Sequence, residues 1–100
     1  MAKFNFTNKA VDDLTDIWNY TFKKWSENQA DIYYLMLIKT CSEITTNPQL
    51  GKNYDGIAIN LYGFKSGSHI IFYRKLGQDL VEITRLLQEQ MDLEYRLLEK

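Results

Sequence analysis

Gly67-Ser68-His69-Ile70-Ile71-Phe72-Tyr73-Arg74 decides the fold, because four consecutive apolar residues, two of them β-branched and two aromatic, follow a glycine-serine turn. Turn signals at Ser66-Gly67-Ser68 and Leu76-Gly77-Gln78-Asp79 bracket a run of ordinary strand length. An edge strand with one wet face alternates apolar and polar residues; a strand paired on both sides and covered on both faces does not need to. Ile70 to Tyr73 is therefore predicted to be the middle strand of a three-strand meander over 57–87. Ile57, Ile59, Leu61 and Phe64 lead into the first strand, Ile70 to Lys75 forms the second, and Leu80 to Leu87 the third. In the third, Val81, Ile83 and Arg85 alternate with Glu82, Thr84 and Leu86.

Upstream, Lys3-Phe4-Asn5-Phe6-Thr7 alternates, which predicts a short strand over 1–7 at the edge of the same sheet. A helix hairpin is expected over 8–47. Thr7 or Asn8 can cap its first helix, with Asp12 and Asp13 placed to favour the positive end of the helix dipole. Val11, Leu14, Trp18, Phe22 and Trp25 recur at spacings of three and four and predict its buried stripe. Ser26 with Gln29 fits a capping box for the second helix, and so short a connection folds the helices back antiparallel. Ala30, Tyr33, Tyr34, Leu37, Cys41 and Ile44 supply the facing stripe; Ile32, Leu35, Met36 and Ile38 widen it, with burial inside the domain preferred over exposure to a partner. Pro48 stops the helix, and 49–56 reads as a polar linker. The segment 88–100 reads as a tail or short helix. The expected class is α+β: an N-terminal strand and an antiparallel two-helix hairpin packed on a mainly antiparallel sheet, in the order β-α-α-β-β-β.

One hundred residues fit a single domain over 1–100. The lone cysteine, Cys41, excludes an intrachain disulfide and reads as a small core hydrophobe. With no signal peptide or long apolar segment, a cytoplasmic location without membrane contact is expected. A net charge of −1 argues against a broad electrostatic footprint on nucleic acid, so no direct sequence-specific nucleic-acid binding is expected. Seven tyrosines and two tryptophans exceed what so small a core holds comfortably, and those left at the surface favour protein contacts.

The element order resembles the RelE/ParE superfamily of bacterial toxins, and the motifs resemble its ParE branch. Asp13-Leu14-Thr15-Asp16-Ile17-Trp18-Asn19-Tyr20 is similar to D-L-x-x-I-x-x-Y, Trp25 to Ala30 to W-G-x-x-Q-A with Ser26 for glycine, and Asn47 to Lys52 to N-P-x-L-G-[RK]. Gly67 to Arg74 resembles G-S-H-[IV]-I-F-Y-R, and Arg85-Leu86-Leu87 with Met91-Asp92 resembles R-[IV]-L-H-x-x-M-D, with Gln88 at the usual histidine. Tyr62 stands where an arginine is common. The resemblance implies a toxin of a type II toxin–antitoxin pair that inhibits DNA gyrase by protein binding and is neutralised by a ParD-like antitoxin. The alternatives are a RelE-like ribosome-dependent mRNA endoribonuclease and an inactive family member that binds only its antitoxin.

Catalysis is disfavoured by the residues themselves. Ribonuclease chemistry needs a base or acid and cationic groups converging on the phosphate. Where the RelE branch places an arginine, three residues before its strand tyrosine, this chain carries Ile70, and Gln88-Glu89-Gln90 follows the last strand. His69, the only histidine, lacks partners at metal-ligand spacing, so neither metal nor cofactor is implied. Tyr73 reads as core with its hydroxyl satisfied, and Lys23, Lys24 and Lys39 as solvated helix faces. Arg74 and Arg85 either bridge Glu82 or another sheet carboxylate or contact an acidic partner. The expected target-binding residues are Arg74, Arg85, Met91, Asp92 and Leu93; those for the antitoxin are Tyr33, Tyr34, Met36 and Leu37.

Overall fold

Thr7 marks where the first strand stops and the first helix starts. Its hydroxyl oxygen accepts the Ala10 N–H at 3.1 Å while its O–H donates to the Thr84 carbonyl at 2.8 Å, so one side chain caps the helix and ties it to the sheet. The structure, a computed structural model, describes residues 3–90 and 93–98. Within them run β1 (Lys3–Phe6), α1 (Asn8–Lys24), α2 (Glu27–Thr46), a 3-10 turn at Pro48–Leu50, β2 (Lys52–Asn53), β3 (Tyr62–Ser66), β4 (His69–Lys75), β5 (Leu80–Gln88) and α3 (Leu93–Leu97). The sheet has the order β1-β5-β4-β3-β2, with β1 parallel to β5 and every other pair antiparallel. This is the α+β arrangement expected, with the helix hairpin packed on one face of the sheet. Only Trp25 and Ser26 separate the two helices, and the Ser26 hydroxyl caps α2 by accepting the Gln29 N–H.

The middle strand is buried on both faces, as its unbroken apolar run demands. Ile71 and Tyr73 enter the core under the hairpin with Leu14, Ile17, Leu37, Cys41, Ile44, Val81, Ile83 and Leu86. Ile70 and Phe72 enter a second core with Leu61 and Leu87, flanked by Tyr54, Ala58, Leu93 and Leu97. Leu93 therefore packs against the sheet, and α3 covers the face opposite the hairpin. Tyr73 keeps its hydroxyl satisfied by donating to the Pro48 carbonyl and accepting the Gly51 N–H at 2.9 Å. A β-carbon at Gly51 would overlap that oxygen, so a larger residue there displaces the Tyr73 ring.

Six readings need correction. The first meander strand begins at Tyr62 rather than near Ile57, because Asn53 and Asp55 side chains accept the N–H groups of Asp55 and Asn60 and close 53–60 into turns; Ile59 is left 78% exposed. Lys52–Asn53, expected in a linker, pairs with β3 as a short edge strand. In β5, Phe72 pairs with Arg85 but Tyr73 with Ile83, so Thr84 is an extra residue and the alternation reverses there. Leu86 thereby joins Val81 and Ile83 under the hairpin, and Arg85 moves to the face of Phe72. The fourth correction concerns α1. Its buried residues are Ala10, Leu14 and Ile17, whereas Val11, Phe22 and Trp25, expected in the core, are 48%, 46% and 69% exposed. Two anchors set this rotation: small Ala10 allows close approach, and Asp13 is held at the β5 edge. Asp13 also lies beyond the first turn of a helix beginning at Asn8, so its partner is a side chain and not the helix dipole. On α2, Ile38 is half-buried, but Ile32 and Leu35 remain exposed against the expectation of burial.

Candidate functional site

The outward rotation of α1 builds a groove. Val11, Leu14, Thr15, Trp18 and Asn19 of α1, Asp31 and Tyr34 of α2 and Phe6 of β1 enclose about 470 Å³. Trp18 donates its indole N–H to Asp31 Oδ1 at 2.9 Å and stacks on Phe22 at 5.2 Å between centroids, which holds a large apolar side chain at the surface. Of the four residues expected to meet an antitoxin, Tyr34 alone lines this groove. Leu37 is fully buried in the core, because its position on α2 faces the sheet. Tyr33 and Met36 point instead at the β3–β4 turn, where Gly67, at φ +61°, admits both; a β-carbon there would meet the Tyr33 oxygen at 2.6 Å and the Met36 methyl at 2.9 Å. Val11 and Trp18 were missed because their apolar stripe reads equally well as core. The signal available was the indole N–H, which a wholly apolar core would have left without an acceptor.

A second depression, of about 340 Å³, lies on the opposite side of the sheet. Arg74, Glu82, Thr84 and Arg85 form its floor, with Lys9 from the start of α1 and Leu97 from α3 on its walls. The structure thus brings Arg74 and Arg85 together, but neither forms the expected bridge to Glu82. Arg74 sits opposite Glu82 in the ladder without forming an ion pair. Arg85 reaches across the strand edge to Asp13, with Nε donating to Oδ2 at 2.8 Å and Nη2 to Oδ1 at 3.0 Å, and its Nη1 donates to the Arg96 carbonyl at 2.9 Å. Met91 and Asp92 lie outside the described residues, and Leu93 is half-buried in the second core.

His69 begins β4, as expected. The Tyr33 hydroxyl accepts the Ser68 N–H at 3.1 Å and shares a hydrogen bond with His69 Nδ1 at 2.6 Å. Burial pushes the His69 pKa below its ordinary 6.5, only partly opposed by the Asp13 charge. Burial also pushes the Cys41 thiol up to about 12, which removes its thiolate at neutral pH. Ile70 is buried in the second core, and Gln88 is exposed at the end of β5. Among the described residues no group of three or more His, Cys, Asp or Glu side chains gathers to hold a metal ion, and no helix is long and apolar enough to cross a membrane.

Comparison with known proteins agrees with this architecture. The family described as "ParE toxin of type II toxin-antitoxin system, parDE" matches residues 4–93. Toxin ParE1 of Mycobacterium tuberculosis is 31% identical over 96 residues, covering 96% of this chain and 98% of the relative. Toxin ParE1 of Caulobacter vibrioides is 34% identical over 92 residues, covering 92% of this chain and 94% of the relative. A chain of the solved "Chromosomal ParDE TA system from P. aeruginosa" shares the fold, with a TM-score of 0.75 over 88% of this chain and 96% of that one, at 14% identity. The chain belongs to the ParE toxin family of type II toxin–antitoxin systems.

Proposed function

We propose that the protein is a cytoplasmic toxin that binds DNA gyrase and traps the enzyme's cleaved DNA complex, and that a ParD-like antitoxin neutralises it. The observation that carries the choice of binding over catalysis is the state of its reactive groups. His69 is tied to Tyr33, the Cys41 thiol is held protonated in the core, and the Arg85 guanidinium is held by Asp13. Among the described residues, no free base faces a set of free cations, as phosphoryl chemistry on RNA would need. The depression on the α3 side has another character. Half-buried Lys9 and exposed Arg74 stand there beside Glu82 and apolar Leu97, a mixture suited to the polar rim of a protein contact.

The groove on the hairpin side supports a separate contact with the antitoxin. An amphipathic helix of the partner, placing apolar residues between Val11, Trp18 and Tyr34, would bury surface that the toxin alone leaves wet. Incubating the purified protein with gyrase and relaxed or supercoiled plasmid tests the target. Inhibited supercoiling with a rise in cleaved complex is expected. Unaffected gyrase at molar excess, together with cleavage of transcripts at codons on induction, would assign ribosome-dependent RNA cleavage instead.

A further inference from the structure

On the flank of α1 away from the aromatic groove, a pocket of about 240 Å³ is lined by Asp16, Ile17 and Tyr20 of α1, His69 of β4 and Gln88 of β5. Its charges are unevenly matched. Asp13, one turn earlier, spends both carboxylate oxygens on Arg85 and the Leu86 N–H, and Lys24 is held at the Tyr20 hydroxyl at 3.2 Å. Asp16 is exposed, and among the described residues its carboxylate has no hydrogen-bonding or ionic partner. Asp16 also lines an adjoining cleft with Arg85 and Arg96, where the Arg96 carbonyl accepts from Arg85 and the Arg85 guanidinium is held by Asp13. Burial, which pushes the His69 pKa down, disfavours a positive charge on that ring. The floor is the buried Ile17, one wall is the exposed ring of Tyr20, and the Gln88 amide supplies a carbonyl acceptor.

We propose that this pocket receives a lysine or arginine side chain of the antitoxin, with the cationic head on Asp16 and Gln88 and the aliphatic stem against Ile17 and Tyr20. Such side chains lay their methylenes on apolar surface and keep the charge at a polar rim, which is the distribution the pocket offers. The choice of the antitoxin rests on the reading of the hairpin groove as its main seat. The two sites flank the same helix, so a segment crossing the exposed side of α1 reaches both, the groove supplying apolar area and the pocket a charge that fixes register.

The test is the affinity of the antitoxin encoded beside the toxin for three toxins: wild type, Asp16→Asn and Tyr34→Glu. Asp16→Asn is expected to weaken binding at least tenfold and to flatten its dependence on salt, with thermal unfolding of the toxin unchanged. Binding by Asp16→Asn within twofold of wild type overturns the proposal. If Tyr34→Glu binds weakly in that case, the groove stands and the pocket alone fails; if it too binds like wild type, both readings fail. An antitoxin-independent arm uses Nα-acetylarginine amide, read on the ring protons of the only histidine. A saturable shift in wild type that is lost in Asp16→Asn supports the site, and equal shifts in both proteins overturn it.

Discussion

Arg85 and Asp13 face each other along both of their polar edges at the stretch of β5 that β1 leaves open. β1 ends at Phe6, paired with Ile83, and the Leu86 N–H beyond it finds its acceptor in Asp13 Oδ2 at 3.0 Å. The carboxylate therefore serves a helix, a strand edge and a guanidinium at once. Both side chains are only 12% exposed, so removing one leaves the other poorly solvated.

Asp13→Ala is expected to destabilise the protein by about 3 kcal/mol in urea unfolding, since it strands the guanidinium and the Leu86 N–H together. The double change Asp13→Ala with Arg85→Met should recover part of that loss. Lys65 and Glu89, whose side chains are 62% and 40% exposed, provide the contrast: breaking that pair should cost no more than about 0.5 kcal/mol. Equal costs for the two pairs would refute the assignment of Asp13 as a structural hub.

Gly51→Ala is expected to cost about 1–3 kcal/mol, because the new methyl group displaces the Tyr73 hydroxyl from its seat between Pro48 and Gly51. Tyr73→Phe removes the clashing oxygen, so the two changes together should cost less than the sum of the singles. Strict additivity, measured by denaturant midpoints, would show that the contact is not as close as described.

His69 predicts a pH dependence of stability. Its pKa in the fold is pushed below the unfolded value of 6.5, so the unfolded chain takes up the proton first. Stability should be level above that value and decline as pH falls from about 6.5 toward the lowered native pKa, before carboxylates begin to titrate near pH 5. His69→Gln should remove the decline, and a wild-type protein that becomes more stable over this interval would contradict the cause assigned here.

Tyr34→Glu and Val11→Glu place a charge in the hairpin groove at exposed positions and should change stability by no more than about 0.5 kcal/mol. Each is expected to weaken antitoxin binding at least about tenfold, the effect of 1.4 kcal/mol. Met36→Glu is a different experiment: its methyl packs against Gly67, so it should lower stability first. Calorimetric titration paired with thermal melts separates the two outcomes.

What could be read in advance follows from how many structural levels encode it. Ile70 to Tyr73 is apolar on both faces, and that run has one simple explanation whatever surrounds it. The stripe on α1 is ambiguous by contrast, since Ala10-Leu14-Ile17 and Val11-Trp18-Phe22 are neighbouring stripes and only the tertiary anchor at Asp13 decides which faces the sheet. The bulge at Thr84 has no local signature of its own. It nevertheless reverses the faces of Arg85 and Leu86 and so moves a candidate site residue from one side of the sheet to the other. Leu37 failed as a contact residue for the same reason: periodicity places it on a stripe but not at its exposed margin.

Target and antitoxin are proposed to meet opposite sides of the toxin, and gyrase cleaved-complex formation titrated with three toxins tests that division. Tyr34→Glu should trap gyrase like wild type yet resist rescue by the antitoxin, whereas Lys9→Glu with Arg74→Glu should lose trapping while still binding the antitoxin. Trapping lost in Tyr34→Glu and retained in the Lys9 and Arg74 double variant would contradict the account.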